Sequence, residues 1–164
     1  VTQISLSIDI DRPREEVFAY LADIANLAEF HDYYLADWHL TRADSHGLGA
    51  GVRFRAKAPL NRFAWADIGY AEVAEPERIV GRGAGGKFNR VPISASYELS
   101  ERDGGTRVEY RLRTEPKLPS DRIWELAIGH GWLKRKSRRS LHRLKGIVEH
   151  ERNRGTRPTI AGLR

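Results

Sequence analysis

The sequence contains no cysteine and no methionine. The first absence excludes disulfides, thiolate metal sites and a cysteine nucleophile. No apolar run approaches the roughly 20 residues that a membrane-spanning helix needs. The chain does not open on a basic segment followed by an apolar one, so no secretory signal is expected and a cytoplasmic location is. There are only 7 prolines, and neither an internal repeat nor a low-complexity block occurs. What remains is a globular mixture of 164 residues, 40% hydrophobic and 30% charged. That is one domain with room for a sizeable core. The net charge of +6 is unevenly spread: residues 1–50 balance at −6, 51–118 at +4 and 119–164 at +8. A basic final third suits nucleic acid, an anionic lipid surface or an acidic partner, and equally a solvated helix face.

Ile4, Leu6, Ile8 and Ile10 alternate with Ser5, Ser7, Asp9 and Asp11, which predicts a strand with one buried face. Pro13 then stands where a helix begins, with Glu15 and Glu16 where the helix dipole favours acids. Val17, Phe18 and Leu21 supply its apolar stripe, and a second short helix is predicted over Asp23–Phe30. The period returns to two from residue 36 and holds for about 80 residues. Val91, Ile93, Ala95, Tyr97 and Leu99 alternate with polar residues, as do Val108, Tyr110 and Leu112. Asp103-Gly104-Gly105 between them is a tight hairpin signal. Phe63–Val73 has mixed parity: Phe63 and Trp65 share one face, Ile68 and Tyr70 the other. A bulge at Gly69 or burial on both faces would reconcile them. From Asp121, after a cap at Ser120, a helix is predicted to about Glu151, with Leu126, Leu133, Leu141, Leu144 and Val148 on one stripe.

Several motifs fail on chemistry. Gly81, Gly83 and Gly86 fit a dinucleotide-binding spacing, and Gly81, Gly86 and Lys87 fit most of a phosphate-binding loop. Phe88 stands where the latter needs a hydroxyl, and a strand follows where both need a helix. The segment reads as a flexible connection between strands beside a pocket mouth. No two of the six histidines lie three or four apart on the predicted long helix, so no metal site is expected. No Gly-x-Ser-x-Gly occurs. Two residues remain as catalytic candidates. Strict alternation from Trp65 sends Asp67 inward, where its pKa would rise, whereas a bulge would turn it out. His130 lies between Gly129 and Gly131 and could aim a ring nitrogen at a ligand. The run Lys134-Arg135-Lys136-Ser137-Arg138-Arg139 covers more than half of a helix circumference. It reads first as a solvated face.

The opening ISLSIDIDRPREEVFAYLADIANLAEF, the middle AEVAEPERIVGRG, the hairpin SYELSERDGGTRVEYRLR and the closing SLHRLKGIVEHE resemble the START/Bet v 1-like superfamily. The polyketide cyclase/dehydrase and lipid-transport type is the nearest variety. The resemblance runs over about residues 3–151. It implies an α+β helix-grip fold: a curved antiparallel sheet of about seven strands around a long C-terminal helix, with two short helices after the first strand. Residues 1–151 would form this one domain and residues 152–164 a basic polar tail. The resemblance specifies no chemistry, since one fold hosts carriers, sensors and cyclases.

The expected functional element is a cavity between sheet and C-terminal helix. Alternation points Trp38, Phe54, Trp65, Tyr97 and Tyr110 inward, and Trp124 and His130 could reach down from the helix. Such a lining suits a lipid, isoprenoid or aromatic polyketide-like ligand, bound or transported without a cofactor. The alternatives are a cyclase/aromatase or dehydratase in the same cavity, and an interaction module using the basic helix. Peripheral contact with an anionic membrane would run through Lys134, Arg135, Arg138 and Arg139. Nucleic acid is not an expected partner, and the chain is expected to be a monomer or homodimer.

Overall fold

The computed structural model describes residues 1–57, 65–124, 126, 129–151 and 157–163. Strand β1 (Thr2–Ile10) leads into helix α1 (Arg14–Ala22), a single helical turn (Ile24–Asn26) and helix α2 (Leu27–His31). Six strands follow: β2 (Leu35–Leu40), β3 (Gly51–Ala56), β4 (Trp65–Ala74), β5 (Arg78–Gly85), β6 (Val91–Arg102) and β7 (Gly105–Thr114). Helices α3 (Pro119–Trp124) and α4 (His130–His150) and a small hairpin, β8 (Pro158–Thr159) with β9 (Gly162–Leu163), complete the chain. Strands β1–β7 form one antiparallel sheet in the order β1-β7-β6-β5-β4-β3-β2. The predicted α+β helix-grip fold is what the chain adopts. No helix among the described residues is long and apolar enough to cross a membrane.

The local causes are those of the sequence pattern. Pro13 precedes α1, Glu15 and Glu16 occupy its first turn, and Val17, Phe18, Leu21 and Ala22 are buried. Asp23 caps the next turn, accepting a hydrogen bond from the Ala25 amide at 3.1 Å. In the β6–β7 hairpin Tyr97 faces Tyr110 and Leu99 faces Val108. Asp103 and Gly104 both take positive φ, 49° and 79°, the backbone twist that two-residue hairpins favour. Tyr97, Leu99, Val108, Tyr110 and Leu112 are all buried. Leu141, Leu144, Ile147 and Val148 of α4 are buried in the same core. Polar ties fasten the end of α4 to β1: Lys145 Nζ donates to the Asp9 carbonyl at 2.7 Å and the Asp11 amide donates to Glu149 at 2.7 Å.

Three local expectations change. First, α3 starts at Pro119, so Ser120 lies inside the helix rather than before it. Leu126 is 86% exposed and has no place in the core stripe, which starts at Leu133. Second, the glycines at 81–85 are within a strand, not a loop. A Cβ on Gly83 would stand 1.7 Å from the Asp67 carbonyl oxygen of the neighbouring strand, so close backbone approach explains that glycine. Third, the register shift in β4 falls between Tyr70 and Glu72 rather than at Gly69; Phe63 lies outside the described residues. Residues 157–163 lie against the domain. Arg157 pairs with Asp23, donates to Asn26 Oδ1 at 3.0 Å, and Pro158 is buried.

Candidate functional site

A cavity of about 230 Å³ opens between the concave face of the sheet and the helices. Its sheet wall is apolar: Trp38 and Phe54 stack at 4.7 Å between ring centres, and Ala66, Ile68, Ile93, Ala95 and Leu112 continue the surface. Space comes from small residues on the strands. Gly81, Gly85 and Gly86 line the cavity. A Cβ on Gly81 would meet Ile68 at 2.8 Å. Trp65, the first residue of β4, borders the cavity half-buried, with the Arg53 guanidinium 5.0 Å from its ring centre.

The wall toward α2 and α4 carries the polar groups. Tyr97 and Tyr110 lie 5.1 Å apart between ring centres. Beside them, Tyr34 and His31 line the cavity from the segment at the end of α2. His31 Nδ1 lies 2.9 Å from the Ser140 hydroxyl of α4 and 3.3 Å from the Tyr34 hydroxyl. Its Nε2 has no hydrogen-bond partner among the described residues. Tyr33 donates to the Lys136 carbonyl and approaches Ser140 at 3.3 Å, completing the seam with α4. Burial, seconded by the nearby Arg143 charge, drives the His31 pKa down to about 3, so the ring is neutral. Arg143 itself donates to Asp32 at 2.7 Å. Burial pushes the Tyr34, Tyr97 and Tyr110 hydroxyls above the usual phenol range. The Ser137 hydroxyl is close enough to Tyr34 and Tyr110 to temper those shifts. Even so, it makes no well-formed hydrogen bond, although the residue is only 1% exposed.

Of the residues expected at the site, Trp38, Phe54, Trp65, Tyr97 and Tyr110 meet at this cavity. The side chain of Trp124 lies outside the described residues. His130 is exposed at the first position of α4 and is not among the lining residues. The neighbouring Gly131 faces open space and does not line the cavity. Asp67 is on the outer face: even positions Ala66, Ile68 and Tyr70 point inward, and Tyr70 donates to the Leu21 carbonyl at 2.6 Å. Asp67 instead accepts from Asn89 at 3.0 Å and lies 3.9 Å from Arg53. Lys134, Arg135 and Arg138 are exposed without an ion pair among the described residues, while Arg139 packs its guanidinium 4.7 Å from the Tyr33 ring centre. No group of three or more potential metal ligands occurs among the described residues. His31, Tyr34, Ser137 and Ser140 were not foreseen. The first two lie in the short aromatic segment His31-Asp32-Tyr33-Tyr34, Ser137 within the basic run and Ser140 just after it.

A sheet curled around a helix, with an apolar cavity held between them, defines a helix-grip protein of the Bet v 1-like class. The chain belongs to the polyketide cyclase / dehydrase and lipid transport family, whose pattern matches residues 1–149. No curated protein matches it in sequence. Among solved structures, KanY protein is similar at TM-score 0.73 and 13% identity, covering 90% of this chain and 97% of that one. Norcoclaurine synthase from Thalictrum flavum is similar at TM-score 0.68 and 11% identity, covering 91% and 94%. The Aha1 dimer from Colwellia psychrerythraea is similar at TM-score 0.61 and 14% identity, covering 93% and 99%. At these identities the likeness is one of fold.

Proposed function

We propose that the protein binds a small hydrophobic molecule without covalent chemistry, holding it between sheet and α4 as a carrier does. The apolar cavity of about 230 Å³ carries this reading. Its size lies just below the range of about 300–1,000 Å³ usual for ligand pockets, which favours a ring-sized ligand over a two-chain phospholipid. Burying about 200 Å² of such a ligand contributes on the order of 5 kcal/mol before association costs, so micromolar binding needs good fit and a polar anchor.

The cyclase or dehydratase reading has one observation in its favour, the presence of His31 in the cavity. Its pKa of about 3 argues the other way. A general base works best with a pKa near the working pH, and an imidazole this far below it takes up a proton poorly. A neutral ring serves better as a hydrogen-bonding partner. Native mass spectrometry of protein purified from its own host, with an organic extract of the same sample, tests the proposal. A small apolar molecule should be carried by the wild type. Filling the cavity with Ala95→Phe should abolish its retention while the far-UV spectrum stays unchanged. Equal retention by the filled variant, or turnover of the bound molecule, would overturn the carrier reading.

A further inference from the structure

We infer that the wall formed by His31, Tyr34, Tyr97 and Tyr110, backed by Ser137, is a hydrogen-bonding subsite that takes an uncharged hydroxyl or carbonyl oxygen and rejects a carboxylate. This rests on the cavity being the ligand site. Three observations carry it. The first is connectivity: Tyr97 meets Tyr110, Tyr34 meets His31 at 5.8 Å between ring centres, and His31 meets Ser140. Serines 137 and 140 both project from the buried face of α4. Ser137, beside both Tyr110 and Tyr34, joins the two groups into one seam from β6 to α2.

The second observation is unused bonding capacity. The Tyr97 hydroxyl and His31 Nε2 have no hydrogen-bond partner among the described residues, although both residues are buried and line the cavity. Ser137 Oγ is buried beside Tyr34 and Tyr110 without a well-formed hydrogen bond. Buried polar groups are normally paired, so an oxygen-bearing ligand in the cavity would complete a set the protein leaves open. A hydroxyl or carbonyl suits tyrosine and imidazole groups, which both donate and accept.

The third is charge. None of the described lining residues is Asp, Glu, Lys or Arg. A carboxylate or phosphate in the cavity would be desolvated with no cation against it. Arg143, whose charge is felt at His31, is already engaged by Asp32 and the Glu29 carbonyl. His31 does not supply the missing charge, being held neutral. The subsite thus separates neutral oxygenated rings from fatty acids and other anions of similar apolar bulk.

Three probes of one shape test this by isothermal titration against the full chain at pH 7: naphthalene, 2-naphthol and 2-naphthoate. Naphthol should bind about 10-fold more tightly than naphthalene, the gain from one well-made hydrogen bond. Naphthoate should bind more weakly than naphthalene. Tyr97→Phe and Tyr110→Phe, which keep the ring and remove only the hydroxyl, should each bring naphthol toward the naphthalene affinity and leave naphthalene within about two-fold. Equal affinity of naphthol and naphthalene for the wild type would overturn the subsite and leave the cavity reading standing. So would naphthoate matching naphthol, or naphthol affinity surviving both substitutions. Failure of all three probes to bind would overturn the cavity reading itself.

Discussion

The two ends of α4 make opposite use of one helix. Its first turns, from His130 to Arg135, carry glycine, exposed His130 and a run of charge. The turns from Ser137 to Val148 put Ser137, Ser140, Leu141, Leu144, Ile147 and Val148 into the interior. The polar groups that tie α4 to the cavity side chains His31 and Tyr34 belong to the second region, while the first lends Leu133 to the lining. Where the helix is buried, its two serines can hold the polar seam in place; His130, exposed at the first position, has no side-chain hydrogen bond among the described residues. A polar group acts at a ligand site when surrounding packing fixes its position, and flexibility of the backbone does not substitute for that.

The comparison is broken most severely at Leu144, which is fully buried. Leu144→Ala should cost about 2–5 kcal/mol of unfolding free energy in urea, whereas His130→Ala should leave the midpoint unchanged. Comparable losses for both would erase the distinction. Next comes His31, whose pKa is about 3 folded against 6.5 ordinarily. The unfolded chain binds a proton below pH 6.5 and the folded chain does not until about pH 3. Stability should therefore fall as pH drops through that window, by up to about 1.4 kcal/mol per pH unit. The slope is best read between pH 6.5 and 5. The carboxylates of Asp9, Asp121 and Glu149, held low by their partners, lose their own contribution only as pH falls further. His31→Gln should flatten that upper window; an unchanged slope would show that the ring titrates normally.

Smaller effects sharpen the same contrast. Ser137→Ala removes a buried hydroxyl with no partner. The free protein should be unchanged or more stable by up to about 1 kcal/mol. A loss beyond that, seen in thermal unfolding, would mean the hydroxyl is already bonded. Gly131→Ala adds a Cβ that meets nothing within 4 Å. It should raise stability by about 0.5 kcal/mol through helix propensity alone, with probe binding unaltered.

The strand-built half of the site was legible in the sequence because a strand has an exact two-residue period. Tyr97 and Tyr110 face inward because their alternation and the Asp103-Gly104 turn set one register. The same rule misled at Asp67. Trp65 sits at the cavity rim although the even-numbered residues of β4 face in, so counting from Trp65 starts on the wrong face. The helical half was hidden for a different reason. α2 is five residues long, too short to show a periodicity, and His31 is placed by contact with Ser140, 109 residues away. Ser137 and Ser140 flank Arg138 and Arg139, and their burial depends on which side of α4 meets the sheet. The stripe Leu133, Leu141, Leu144 and Val148 puts both serines on that side, four residues from its leucines; what no local spacing encodes is that they meet Tyr33, Tyr34 and His31.

The small hairpin at residues 158–163 has a consequence for how copies of this molecule meet. It lies against β2, an outermost strand of the sheet. An outer strand offers unpaired amides and carbonyls to any extended chain that approaches, and is the usual starting point for runaway strand addition. Here Gly162 comes so close to His39 of that strand that a Cβ would stand 3.2 Å from its ring, and Arg157 latches the approach to Asp23. The last stretch of the chain therefore acts as a selvage, closing the side on which the fabric of the sheet would otherwise go on growing.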